Sequence, residues 1–424
     1  MTRTQSAPPT LGRSYSTLWT AASVSALGDG LTLTAAPLMA ASLTDDPRLI
    51  AAVTVSLTLP FVVFGIPAGV LVDRCNRRRA MVVIDLARSI AMLTLAVTAL
   101  LGAAHLAVLL VCLFLVGAGE TLYRNASQAI VPAIVARPML IPANARLEAS
   151  QTVGSQFLGP LIGSALFVIA PWLPFGFDAA TFLVSAVLLT RLRIRPMERR
   201  PTAGPARTPF LRDMATGVRW LVRHRLMRAL ALTAAAINLV VSGSTAILVV
   251  YSSQVLGLSE LGFGVLMACE ALGAVLAVRL APAVVRRIGQ DWSLVAVVLA
   301  QSAACVMLWV GPWRVTAGAA IALIACAGVT WNVVVVALRQ TLVPDELQGR
   351  VNSVYRLVAW GALPVGAALA GVIAQQSGSA AFYGVGALLS ALIAIPLAVG
   401  ALRGWVSSAL LKLETGKGGR IPRE

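Results

Sequence analysis

Residues 65–79 read Gly65-Ile66-Pro67-Ala68-Gly69-Val70-Leu71-Val72-Asp73-Arg74-Cys75-Asn76-Arg77-Arg78-Arg79. The stretch leaves one long apolar run, turns on an acid and a cluster of guanidiniums, and enters a second apolar run at once. Arginines in hydrocarbon carry a large desolvation cost, so this turn belongs in water at a membrane surface. Gly65 and Gly69 are four residues apart and share a helix face, which allows close approach of a neighbouring helix. Asp73 ends the span, where its carboxylate can pair with a cation or cap the helix that follows.

The same alternation extends in both directions. A hydrocarbon core of about 30 Å takes roughly 20 apolar residues as helix. Twelve such segments lie near 18–42, 49–71, 79–102, 106–128, 147–170, 172–191, 229–251, 262–282, 292–311, 315–337, 352–375 and 380–402. The expected fold is an all-α membrane protein with twelve transmembrane helices in two six-helix bundles. Composition points the same way: 58% of residues are hydrophobic, 12% are charged and the mean hydropathy is +0.84. A soluble chain carries about 25% charged residues. With half of that, the excess apolar surface must face lipid, and disorder is excluded.

The net charge is +17, from 34 Lys+Arg against 17 Asp+Glu. The excess sits in short loops, as a positive-inside bias and not as a nucleic-acid patch. Arg74, Arg77, Arg78 and Arg79 follow segment 2, Arg137 and Arg146 follow segment 4, Arg286 and Arg287 follow segment 8, and Arg339 and Arg350 flank the loop after segment 10. The alternate loops hold only Arg48 and Arg314. Both termini are therefore expected in the cytoplasm of a multi-pass protein of the cell (inner or plasma) membrane. The first apolar run has no small-residue cleavage site after it and reads as a span, not a signal peptide.

Residues 191–228 contain eleven arginines, and Pro196, Pro201, Pro205 and Pro209 mark their first part as a linker. From Asp213 to Leu230 an amphipathic helix is expected, with Met214, Val218, Leu221 and Val222 on its apolar side, lying on the cytoplasmic lipid surface. The expected organisation is a cytoplasmic tail at 1–16, a six-helix bundle at 17–191, the basic linker at 192–228, a second bundle at 229–402 and a basic tail at 403–424. A loose internal repeat supports it, with Gly159-Pro160 and Gly163 in segment 5 set against Pro364, Gly366 and Gly371 in segment 11.

Charges inside membrane spans are costly and default to function. Asp29 lies halfway along segment 1 between two glycines. Glu120 and Arg124 are one turn apart in segment 4, on one face. Glu270 lies within the apolar segment 8. The residues leave open whether each is a proton or substrate site or a helix-packing partner. Tyr123, Trp19, Trp331 and Trp360 are candidates for stacking on an aromatic substrate or for interface anchors. The five cysteines and two histidines have no metal-ligand spacing, so no metal or cofactor is expected. No G-x-x-x-x-G-K exists to hold ATP, and the absence of a His cluster, paired catalytic acids or a nucleophile elbow argues against an enzyme.

Residues 65–78 resemble the signature of the major facilitator superfamily between its second and third helices: a Gly, an Asp-Arg and a basic pair, with Asn76 where many members have Gly. Leu27-Gly28-Asp29-Gly30, Phe177-Asp178-Ala179-Ala180-Thr181-Phe182 and Val343-Pro344-Asp345-Glu346-Leu347-Gln348-Gly349-Arg350 look like the branch holding enterobactin exporters and macrolide efflux proteins. Gly154, Gly159, Pro160 and Gly163 are similar to the superfamily's antiporter motif. The resemblance implies proton-driven export of a drug, siderophore or other natural product. It places segments 1 and 4, with Asp29, Glu120 and Arg124, on a central cavity. It also implies a conformational latch of Gly65, Gly69, Asp73, Arg74, Arg77, Arg78, Arg350 and Arg356, with Asp73 pairing to Arg356. The expected partners are a small-molecule substrate, protons and membrane lipids, with no nucleic acid, and the expected state is a monomer. A metabolite importer of the same fold and a non-transporting sensor or scaffold are the alternatives.

Overall fold

The computed structural model describes residues 11–65, 75–136, 139–192, 210–311, 313–344 and 347–414, and the regular structure among them is helical. In chain order the helices are α1 (Gly12–Leu43), α2 (Pro47–Phe64), α3 (Arg77–Leu100), α4 (Leu106–Ile134) and α5 (Leu140–Gln151). A π-helix (Thr152–Leu158) then leads into α6 (Gly159–Ile169) and α7 (Leu173–Thr190). They continue as α8 (Phe210–Arg223), α9 (Arg225–Gln254), α10 (Glu260–Val310), α11 (Arg314–Leu342), α12 (Gln348–Ser377), α13 (Ser379–Leu402) and α14 (Trp405–Glu414). Eleven helical stretches among the described residues are long and apolar enough to cross a membrane. The 51-residue α10 is broken at Gly289, whose φ of 77° and ψ of 168° suit a residue without Cβ. It therefore supplies two segments, and twelve result.

The chain forms two compact units, Met1–Leu43 with Val63–Ala203, and Thr44–Val62 with Gly204–Glu424. Most of α2 thus belongs with the second unit, where Ala51 packs with Ala246 of α9 and Ala367 of α12. The small side chains let α2 sit closely on both helices.

Within the first unit α1 lies along α6 and α7. A Cβ added to Gly30 would stand 2.7 Å from the Ser155 carbonyl oxygen and 2.8 Å from Gly159 Cα, so the two backbones touch at the π-helix. Within the second unit α9 meets α12 in the same way, a Cβ on Gly366 falling 2.2 Å from the Leu239 carbonyl oxygen. A second correspondence is polar. Ser89 of α3 donates to the Ala179 carbonyl in α7 at 2.8 Å, and Ser302 of α10 donates to the Ala387 carbonyl in α13 at 2.8 Å. First with fifth and third with sixth spans pair alike in the two units, a stronger repeat than the prolines gave.

Several local expectations change. The cap on α3 comes from Asn76, whose Oδ1 accepts the Arg79 N–H at 3.2 Å. Gly69, Asp73 and Arg74 lie outside the described residues, as does the Pro-rich part of the linker. The expected amphipathic helix over 213–230 is interrupted at His224, an extended residue whose Nδ1 accepts the Met227 N–H and starts α9. Burial lowers the His224 pKa, which keeps the ring neutral and Nδ1 able to accept. The apolar side of α8 also divides. Leu221 is buried, and a Cβ on Gly217 would lie 2.7 Å from the Arg350 carbonyl of α12, while Val218 and Val222 stay exposed. The basic tail is partly folded as α14. Asp291 accepts the Val406 N–H at 2.9 Å and the Ser407 N–H at 3.1 Å, capping it.

Candidate functional site

A cavity of about 340 Å³ opens in the first unit between α1, α4 and α5. Its wall includes Asp29, Glu120, Tyr123, Arg124, Asn144, Glu148 and Gln151. Three carboxyl groups and one guanidinium thus face a space whose remaining surface is mostly amide, hydroxyl and alanine.

Behind that wall lies a charge network. Arg88 of α3 is 1% exposed, and its Nη2 donates to Asp29 Oδ1 and lies 3.3 Å from Glu120 Oε2. Its Nη1 stands 3.8 Å from Asp85 Oδ1, and its Cζ lies 4.0 Å from the Phe182 ring centroid. Glu120 Oε1 accepts from Arg124 Nε at 2.8 Å and from Gln151 Nε2 at 3.2 Å. Asp85 Oδ2 accepts from Ser185 Oγ at 2.6 Å, and Asp178 Oδ2 is 2.5 Å from Thr32 Oγ1. Asp29, Asp85 and Glu120 therefore share Arg88, and Glu120 also holds Arg124. Gly119 makes room for this, since a Cβ there would meet the Arg88 side chain at 2.8 Å.

Asp29, Glu120 and Arg124 line one cavity within the first unit. Glu270 does not join them. It lies in α10 of the second unit and makes no ion pair or side-chain hydrogen bond among the described residues. Gly154 lies in the π-helix, and Gly159, Pro160 and Gly163 open α6. A wider π-helical turn thus precedes Pro160, a geometry frequent at functional sites. Of the expected latch residues, Arg78 Nη1 donates to the Leu192 carbonyl at 3.1 Å. Arg356 lies over the Trp360 ring at 4.3 Å. The pairing of Asp73 with Arg356 falls outside the described residues. Of the aromatic candidates only Tyr123 lines the cavity; Trp331 is buried in the second core.

Sequence reasoning missed Asp85 and Arg88, and counts Asp178 only as part of the Phe177–Phe182 stretch. Their signal was an acid and a base three residues apart inside the third apolar run. Among the described residues the second unit has no matching ion-pair network: by the Ser89–Ser302 correspondence, Gln301 stands where Arg88 does, and its Nε2 is 3.5 Å from Ser390 Oγ.

A family model described as Major Facilitator Superfamily matches residues 18–361. No curated protein matches the sequence. Among solved structures the chain is similar to the nucleoside transporter NupG, with a TM-score of 0.75 and 12% identity over 92% of this chain and 99% of that one. It is similar to the POT family transporter PepTSo, with a TM-score of 0.72 and 12% identity over 93% and 98%. A bacterial homologue of the iron transporter ferroportin gives a TM-score of 0.69 and 18% identity over 93% and 99%. At such identities the likeness is one of fold.

Proposed function

This chain belongs to the Major Facilitator Superfamily and is a multi-pass membrane transporter, and on that premise we propose that it exports a small molecule in exchange for protons. The observation that carries the reading is the sharing of Arg88 by Asp29 and Glu120 at the wall of the cavity. A proton arriving on either acid removes one claim on Arg88, and on Glu120 it also releases Arg124. A solute bearing a positive charge competes for the same carboxylates. Proton and cargo then exclude each other, which is the requirement for antiport.

Export rather than import is supported by Gly154, Gly159, Pro160 and Gly163, whose pattern is similar to the superfamily's antiporter motif and whose backbone touches α1. The likeness of residues 27–30, 177–182 and 343–350 to the enterobactin and macrolide exporters supports a drug, siderophore or other natural product as cargo. The cavity wall favours a basic, hydrogen-bonding molecule over a purely apolar one. The latch reading of Gly65, Gly69, Asp73, Arg74, Arg77, Arg78, Arg350 and Arg356 rests on the same resemblance, whereas Glu270 as a further cavity acid rests on the cost of a charge inside a span, and cytoplasmic termini in the inner or plasma membrane rest on the basic loops; a monomer completes the reading.

The test is ethidium accumulation in efflux-deficient cells expressing the full chain. Wild type should lower accumulation, a protonophore should abolish the effect, and Asp29→Asn or Glu120→Gln should abolish it with membrane insertion intact. Undiminished, protonophore-sensitive efflux by both amide variants would remove the proposed coupling site. Raised accumulation would favour the importer.

A further inference from the structure

Asp178 lies behind the cavity and is used by nothing above. It is fully buried on α7, and its carboxyl occupies room left by Gly28 of α1: a Cβ there would fall 2.2 Å from Asp178 Oδ1 and 2.1 Å from Thr181 Oγ1. A buried carboxylate requires a cation or several donors. Among the described residues no cation lies within ion-pair distance of Asp178. Arg88 directs Nη2 to Asp29 and Glu120 and Nη1 toward Asp85. The charged groups around Asp178 are Asp29 on α1 and Asp85 and Arg88 on α3; α6, also packed against α7, has no titratable residue.

The neighbouring hydroxyls offer at most one donor to each carboxyl oxygen. Thr181 Oγ1 donates to the Asp178 backbone carbonyl at 2.8 Å and is 3.3 Å from Oδ1, so its one hydrogen is drawn to the backbone. Thr32 Oγ1 lies 2.5 Å from Oδ2 and 3.5 Å from Met92 Sδ. A carboxylic acid gives Oδ2 and the Thr32 hydroxyl a partner each: Oδ2–H donates to Thr32 Oγ1, and the Thr32 hydroxyl donates onward to Met92 Sδ. A carboxylate would keep one donor at most from each hydroxyl and leave Met92 unused.

We infer that Asp178 is a second proton-binding site of the first unit, holding a proton while Asp29 and Glu120 hold Arg88, in a pocket made by Gly28, Thr32, Thr181 and Met92. Its place in a transport cycle rests on the proton-coupled reading above; its occupancy does not.

The experiment is infrared spectroscopy of the full-length protein in phosphatidylethanolamine–phosphatidylglycerol vesicles at neutral pH. Wild type should show carbonyl absorbance of protonated carboxylic acids. Asp178→Asn should remove one such band, and Thr32→Val should move that band to higher frequency, because the acid loses its acceptor. Unchanged absorbance in Asp178→Asn overturns the assignment. If that variant does not fold, an unmoved spectrum in Thr32→Val overturns it equally. Wild-type ethidium efflux measured alongside separates the two readings: the band with no efflux removes proton-coupled export and leaves the proton on Asp178, whereas efflux without the band does the reverse.

Discussion

Arg88 and Asp29 meet with unequal access to water: the guanidinium is 1% exposed and the carboxylate 20%. The base is fixed in protein, whereas the acid looks into the cavity. Of the two, only the acid is placed to exchange a proton or meet a solute, and Arg88 is the counter-charge that reads its state.

Arg88→Ala should be the most damaging change in the first unit. It leaves Asp29, Asp85 and Glu120 without a shared cation, and stranding one partner of a buried pair costs about 3–5 kcal/mol. Thermal unfolding of the detergent-purified protein should show a large drop. Adding Asp29→Asn to Arg88→Ala should recover part of it, since fewer negative charges then remain. No recovery would mean that the loss is one of packing against Phe182.

Glu270→Gln should behave in the opposite way. No cation is left behind, because Glu270 pairs with none among the described residues, so unfolding temperature should stay at or above the wild-type value. A marked destabilisation would reveal a partner for Glu270 outside those residues.

Gly159→Ala should destabilise through backbone contact. The new Cβ would lie 2.5 Å from Gly30 Cα, with no flexible side chain to yield. Overpacking of this kind costs about 1–3 kcal/mol. The same thermal assay should show the loss, and ethidium efflux should fall with it.

Asp291→Ala removes the acceptor for two backbone N–H groups and the Ser407 hydroxyl at the start of α14. Loss of such a cap costs about 0.5–2 kcal/mol. Hydrogen exchange at residues 405–409 should accelerate, with the rest of the second unit unchanged.

His224 gives a pH dependence of known sign. Burial depresses its folded pKa, so the capping bond is fully present above the unfolded value of about 6.5 and its stabilisation is lost as pH falls below that. Protection of the Met227 amide, corrected for intrinsic exchange, should decline on acidification. In His224→Asn, which accepts without titrating, it should not.

The spans were legible because hydrocarbon imposes a length and a polarity that the chain must spell out in consecutive residues. The Gly289 break was legible as the basic interval 283–291 between two apolar runs. The Glu120–Arg124 pair was legible too, since helix geometry alone brings positions four apart together. Arg88 was harder, because its partners come from α1 and α4, and no local spacing specifies which helices meet. The unbroken 213–230 helix was misjudged for a related reason. His224 fits a helical period, and only its capping bond to Met227 shows that the chain turns there. The folding of Trp405–Glu414 likewise depends on an acid more than a hundred positions earlier.

The contact of Gly30 with Gly159 has no side chain in it. Elsewhere in a tightly filled interior, moving one helix past another means resetting rotamers on both. At a bare peptide-to-peptide joint there are none to reset, so at this one point α1 and α6 can shift against each other without a rotamer change. The adjoining π-helix, with its looser ladder, is the adjacent piece of backbone able to absorb such a shift.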